Sequence, residues 1–429
     1  MDSGNVAWLL VSSALVCLMI PALALFYGGM VGSRRILNMM MMCFGGVSIV
    51  AVIWAAFGYS AVFGNSLGGL GLIGDITQYA GLEHLLAEDP NAALPPALFA
   101  VFQLFFAGIT TAVIAGAAAG RMKFGAWILF AALWATVVYL PVAHWVFALN
   151  SPDGSITGGW ILNGLRAIDF AGGTAVHINA GIAALALSLV LGRSAGWPKS
   201  EHVRPHSRPL VLVGAGLLWV GWYGFNAGSA LSAGNTASVV FLTTAVAGAA
   251  ALLGWITVER LRRGRASSVG AASGLVAGLV AITPACGAVS PMGAIAIGAI
   301  AGAVCSLAIE WKFRLGFDDS LDVVGVHLVG GIIGTLLIGI FATDAAPNKT
   351  AGLLYGGGLE LLGTQTLAAG AVLVYSFAVT WIVAKLVDVT VGLRIRPEDE
   401  LRGIDITAHA EEAYLVDEEP EMLGSRSLS

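Results

Sequence analysis

The sequence predicts an all-α integral membrane protein of eleven transmembrane helices, built as two inverted five-helix repeats plus an eleventh helix. Three observations carry this. Hydrophobic residues make up 57% of the 429 and charged residues only 11%, with a mean hydropathy of +0.85, whereas soluble domains carry roughly 25% charge. Eleven segments reach the ~20 apolar residues that a helix needs to cross a hydrocarbon core. Lys and Arg collect on alternate connections between those segments, as they do on the cytoplasmic side of membrane proteins.

In chain order the segments lie near residues 5–31, 37–63, 97–119, 124–148, 172–191, 209–228, 236–258, 269–286, 292–309, 324–342 and 366–389. The first has no basic run before it, which reads as a retained helix rather than a cleaved leader. The eighth and ninth are separated only by CGAVSP (286–291), a connection that suits a kinked hairpin. The 57 glycines fall inside apolar runs such as GGIIGTLLIGI (330–340), where small residues let helices approach closely. Cys17, Cys43, Cys286 and Cys305 also fall in apolar runs without a C-x-x-C pair, so they read as core residues, not as a disulfide or metal framework.

Eighteen basic residues occupy one set of connections and the tail, against Arg166 and Lys349 in the other set; Lys385 lies within the last span. This places the N-terminus outside and the C-terminus in the cytoplasm of a multi-pass cell-membrane protein. An odd number of spans is required, as counted. The net charge of −5 reflects acids concentrated at 398–421 and gives no indication of nucleic acid. The expected division is a transmembrane domain over 1–392, with halves at about 5–191 and 209–342 and a last helix at 366–389, followed by a cytoplasmic regulatory tail over 393–429.

The repeat follows from the same map. In DFAGGTAVHINAG (169–181) the fifth span carries His177 eight residues after Asp169; in DDSLDVVGVHLVGG (318–331) the tenth carries His327 eight residues after Asp319 and five after Asp322. A unit of five spans inverts when repeated, and such proteins place their site near the midplane between the halves. Ionisable groups there are costly and functional by default, although a lone histidine could equally tie helices together through a backbone carbonyl. Two in matching places favour function. Asp169 suits a helix start, where a carboxylate accepts from free amides; it could also stabilise a cation or tune a histidine. Asn179 reads as helix glue.

A metal site is weakly supported, because H-x-x-x-H and H-E-x-x-H patterns are absent and His84, His144, His202, His206 and His409 are scattered. The aromatics say more. Phe102 and Phe106 in FQLFFAGIT (102–110) share a helical face, and GWYGFNAGSA (221–230) places Trp222, Tyr223 and Phe225 just before Ser229. Aromatic faces attract a small cation and a hydroxyl accepts its N–H bonds. An interfacial belt would explain Trp and Tyr; for Phe a pore constriction explains more.

These stretches, with ITPACG (282–287), DVVGVH (322–327) and GLRIRPEDELRGIDITAHAEEAY (392–414), resemble the Amt/Mep/Rh ammonium transporters, on the Amt branch, in order from about Phe26 to Tyr414. The resemblance implies a homotrimer with one pore per subunit and no cofactor. It makes Phe106 and Phe225 a stacked gate and Ser229, with Phe106, part of an outer recruitment site for ammonium. His177 and His327 would be paired pore histidines, Asp169 would order the outer site without touching substrate, and Trp222 and Thr283 would line or border the pore. Phe26 and Tyr27 match a pair near a neighbouring subunit's vestibule. In YLPVAHWVFAL (139–149) the place of the usual cage tryptophan is taken by Phe147, with Trp145 two residues earlier. A phenyl ring binds a cation less strongly than an indole, unless Trp145 turns in to substitute.

The function expected is transport: NH4+ is recruited and desolvated, loses its proton, and crosses as NH3, with or without separate proton transfer, while K+ has no proton to give and is rejected. The rival is an ammonium sensor of the same fold, which the some 35 residues after Leu393 disfavour. An enzyme is not expected, since no nucleophile has a base at usable spacing. By the same resemblance a PII-type signal protein would block the cytoplasmic mouth.

Overall fold

The computed structural model describes residues 2–87, 92–195, 197–198 and 205–414. Lys199, Arg204, Arg426 and the tail from 415 onward, all counted in the expectations above, lie outside them.

Among the described residues the chain is helical. Ten helices are long and apolar enough to cross a membrane: α1 Ser3–Met30, α2 Ile36–Phe63, α3 Pro96–Ala118, α4 Phe124–Phe147, α5 Gly173–Leu191, α6 Arg208–Gly228, α7 Asn235–Arg263, α9 Pro291–Leu315, α10 Val324–Phe341 and α11 Glu360–Val391. Between α7 and α9 lies α8, Ser268–Ile282, apolar but only 15 residues long. It ends four residues short of the expected 286 because Pro284 has no N–H to continue the ladder and disfavours helix at the residue before it. The freed carbonyl of Pro284 then accepts from Phe170 N at 3.1 Å, tying this break to the chain entering α5.

The helix starts follow ordinary capping chemistry. Asp2 accepts from Asn5 N at 2.9 Å, and the hydroxyls of Ser207, Ser267 and Ser290 accept from the third residue beyond each. Four of the helices contain a π-turn, at Trp54–Gly58, Ala135–Tyr139, Gly173–Ile178 and Val324–Leu328. Such single-turn distortions gather at functional sites, and the last two carry His177 and His327.

Glycine sets how closely the helices lie. A Cβ on Gly298 or Gly302 of α9 would strike the carbonyls of Ala247 and Ala251 on α7, and one on Gly334 of α10 the carbonyl of Ala281 on α8. The crossing of α5 with α10 is of the same kind. A Cβ on Gly181 would strike the backbone nitrogen of Leu328, and one on Gly331 would lie 3.1 Å from the Cβ of His177.

One end of the body is where α1 ends, α6 begins and α3 ends. There Ser207 N reaches Gly29 O, and Arg121, fully buried, pairs with Asp318 at 3.1 Å and donates to the carbonyls of Gly192, Asp318 and Ala117. The described part of the tail packs on this end. Lys123 N bonds Leu393 O, Ile395 N bonds Arg121 O, Glu400 pairs with Arg394 at 2.8 Å, and Asp405 accepts from Leu37 N and Asn38 N at the start of α2.

The α5–α10 crossing predicts that Gly181→Val costs about 1–3 kcal/mol through overpacking. The thermal midpoint of the detergent-solubilised variant measures it, and a midpoint equal to wild type would show that the helices have room to part.

Candidate functional site

The α5–α10 crossing brings the two histidines together. His177 Nδ1 and His327 Nδ1 lie 3.2 Å apart, with ring centroids 5.4 Å apart and planes inclined at 34°. Both are buried, at 2% and 5% exposure. A contact between two like ring nitrogens requires one to donate and the other to accept, so the pair shares one proton between the Nδ1 atoms. His177 Nε2 is buried and has no partner in the protein. An unsatisfied polar atom in such a position calls for an explanation.

The start of α5 places His177. Asp169 accepts from Gly172 N at 2.8 Å, Gly173 N at 2.6 Å, Thr174 N at 2.8 Å and Ala175 N at 3.3 Å, and from the Thr174 hydroxyl. A carboxylate at the positive end of a helix is stabilised and in turn holds the first turn in place. Its oxygens are thereby occupied, so Asp169 anchors the helix. At α10 the corresponding bond runs from Val324 N to Asp319 Oδ2, at 2.7 Å. Asn179 donates to Ala175 O within its own helix and takes no part in the site.

Trp222 stacks on His177 with centroids 5.5 Å apart and planes at 21°. Its indole N–H donates to Thr283 Oγ1 at 2.9 Å, and that hydroxyl donates to Leu279 O at 2.7 Å. Thr283 therefore orients Trp222. Beside the histidines runs a narrow cavity lined by Val113, Val176, His177, Trp222, Phe225 and His327, among others. It offers about 20 Å3 for the centre of a water-sized molecule, which is room for about one. The aliphatic lining, including Leu23, Leu218 and Val276, was not legible in the sequence, because apolar residues in an apolar chain carry no distinguishing signal.

Phe225, which lines the cavity, is stacked on Phe106. Their rings stack 4.1 Å apart at 9°, each 1% exposed. Phe147, partly exposed, meets Phe106 edge-on at 6.3 Å and 89°. Ser229, one turn beyond Phe225, donates its hydroxyl to Phe225 O at 2.8 Å, which leaves its oxygen lone pairs for an incoming N–H. Trp145 does not turn in. Its N–H bonds Leu72 O at 2.7 Å and its ring packs on Tyr375 and Trp160. Tyr223 likewise lies apart, stacked on Phe241. Within the chain Phe26 lines the cavity and Tyr27 donates to Val113 O at 3.0 Å. Among the described residues no three His, Cys, Asp or Glu side chains gather as a metal-ligand set.

A family model described as the Ammonium Transporter Family matches residues 7–414. A Mycobacterium tuberculosis protein named ammonium transporter is 54% identical over 96% of this chain and 90% of its own length; a Corynebacterium glutamicum protein of the same name is 46% identical over the same shares. Among solved structures, one titled Sensor Amt Protein superposes with a TM-score of 0.86 at 30% identity, covering 95% of this chain and 98% of that one. Saccharomyces cerevisiae Mep2 gives 0.81 at 33%, covering 93% and 88%.

Because the Asp169 cap satisfies four amides and a hydroxyl, Asp169→Ala should cost about 2 kcal/mol and Asp169→Asn less. Denaturation of the purified protein compares them, and equal losses would argue against the charge-assisted cap.

Proposed function

The chain belongs to the ammonium transporter family, a family of membrane transporters rather than enzymes, and from that premise we propose the route by which it moves ammonium. The observation that carries the reading is the buried histidine pair beside a cavity for one small molecule, beneath two stacked phenyl rings. NH4+ is met outside the Phe106–Phe225 stack by the faces of Phe106 and Phe147 and by the hydroxyl oxygen of Ser229. Cation–π attraction and one accepted hydrogen bond offset part of its lost hydration.

The stacked rings leave no passage for a hydrated ion, so they must part for each transit. Crossing the apolar cavity as a cation would be costly, whereas NH3 crosses without that charge. NH4+ gives its proton to water at the outer site, and that proton follows separately along the hydrogen-bonded His177–His327 pair, so that each transit carries one charge; K+, with the charge and nearly the size, has no proton to give and is rejected. Inside, the unpartnered Nε2 of His177 supplies the polar contact that water gave outside. Asp169 holds His177 in position without touching the substrate, and Trp222, oriented by Thr283, fixes the ring from its flat side.

In this reading the protein is a homotrimer in the cell membrane, with the phenyl gate and N-terminus outside and the tail-bearing end in the cytoplasm. The two halves, 5–191 and 209–342, are inverted copies, and the paired Asp–His spacing before and within α5 and α10 supports this. A PII-type signal protein would act at the cytoplasmic mouth, beside the tail from 393. A second reading, an ammonium sensor, is favoured by the likeness to a structure titled as a sensor, and flux measurement separates the two.

Ammonium pulses on proteoliposomes, recorded on solid-supported membranes, test the proposal. Wild type should give a current with ammonium and none with potassium; equal potassium flux would overturn the selectivity, and binding without flux would favour the sensor. Removing one hydrogen-bonding partner worth about 1.4 kcal/mol predicts an approximately tenfold loss of current in His177→Ala and in His327→Ala, and undiminished currents would remove the histidines from the route. Phe147→Trp should raise apparent affinity about threefold, read from the concentration dependence of the same currents.

A further inference from the structure

The carboxyl of Asp319, just before α10, has no task in the route above. It is 1% exposed. Its Oδ2 accepts from Val324 N, but its Oδ1 meets no donor. Asp169 occupies the same place before α5, eight residues ahead of its histidine, and is surrounded by donors. The two carboxyls therefore share a position and differ in how well they are satisfied. A buried carboxylate oxygen without a donor costs about 1–3 kcal/mol or more when charged. Taking up a proton removes the charge and turns the orphan acceptor into a donor.

The neighbouring charges do not supply the missing partner. Lys312, at the end of α9, gives its ammonium to Asp322 Oδ1 at 2.7 Å and to the backbone carbonyl of Asp319 at 2.9 Å. Arg121, after α3, is engaged by Asp318. Tyr27 of α1 donates to Val113 O. Burial above all, helped by the Asp322 carboxylate, outweighs the Lys312 ammonium and pushes the Asp319 carboxyl up to about 7. The group is then protonated below neutrality and ionises as the pH rises through it.

Asp319 lies at the end of the body opposite the phenyl gate, with Arg121, Lys312 and the end of α1. A second cavity there, lined by Met30, Arg35, Ser194, Ser320 and Leu321 among others, offers about 20 Å3 for the centre of a water-sized molecule, directly beside the next residues of the chain. We propose that Asp319 is a proton-binding carboxyl at the far end of the passage, exchanging its proton with the aqueous phase on that side and so making transport sensitive to that phase's pH. An O–H bond forms at the carboxylate with a proton taken from water, and the reverse step returns it. The second clause rests on the transport reading; the proton site itself does not.

Infrared difference spectra of the lipid-reconstituted protein, taken as pH is swept through neutrality, read the site directly. A protonated-carboxyl band should fade near pH 7, be missing in Asp319→Asn, and fade at higher pH in Lys312→Gln, where an opposing positive charge has gone. No titrating band in wild type, or one that persists in Asp319→Asn, would overturn the proposal. In proteoliposomes the ammonium current should lose its inflection near neutrality in Asp319→Asn when pH is varied on the tail-bearing side; an unchanged profile would overturn the control of transport. A wild-type protein carrying no ammonium current, yet showing the band, would count against the transport reading and leave the carboxyl standing.

Discussion

The contact between His177 and His327 is the interaction around which the rest of the structure is arranged. Two imidazoles in an apolar interior have no water to satisfy them, so each must find a partner inside the protein. At 3.2 Å between like nitrogens they find one in each other, and one Nε2 is left over. Bringing two side chains from helices α5 and α10 that close requires the helices themselves to lie nearly backbone to backbone. Gly181 and Gly331 permit it, since neither position has space for a Cβ without displacing Leu328 or crowding His177. The glycine content of the chain, read from composition as packing, acts here as a condition for the chemistry.

Around this contact the polar groups divide into those spent on holding shape and those left for a ligand. Asp169, Thr283 and Trp222 are fully committed: the first to amides, the second to a carbonyl and an indole, the third to a hydroxyl. Ser229 and His177 each retain an acceptor or ring nitrogen, one on each side of the phenyl stack. The proposed passage is therefore mostly apolar with polar contacts at intervals, as the proposed deprotonation route requires. The break at Pro284 serves the same end, because it stops α8 early enough for its free carbonyl to hold Phe170 and for Thr283 to reach Trp222.

The opposite end of the body is built from charge instead. Arg121, Asp318, Lys312, Asp322 and Glu400 are engaged with one another, with Arg394 or with backbone carbonyls. The tail closes on this surface by capping α2 with Asp405 and by exchanging backbone bonds with the turn around Arg121. A helix start capped by a residue from the tail links the position of the tail to that of α2. Asp319 is the carboxyl in this end that is buried within the network and left with one oxygen unserved.

Most of the helical plan was legible in the sequence, since apolar length and basic alternation follow directly from what a bilayer accepts. Span ends agree with the structure to within a few residues, apart from α8, where proline overrides hydropathy, α7 and α9, whose last turns run past the apolar stretch, and α11, which begins about a turn and a half before it. The histidines and phenylalanines were also legible, because a polar group in an apolar run, or a cluster of Phe, stands out against its surroundings. What the residues alone left open was orientation in space. Whether Trp145 or Phe147 faces the gate, and that Thr283 serves Trp222, depend on helix rotation, which composition does not encode. That Asp319 and Asp169, alike in spacing, differ in their donors was decided by the fold alone, because hydrogen-bond satisfaction is a property of neighbours brought together by packing and not of the chain that carries them.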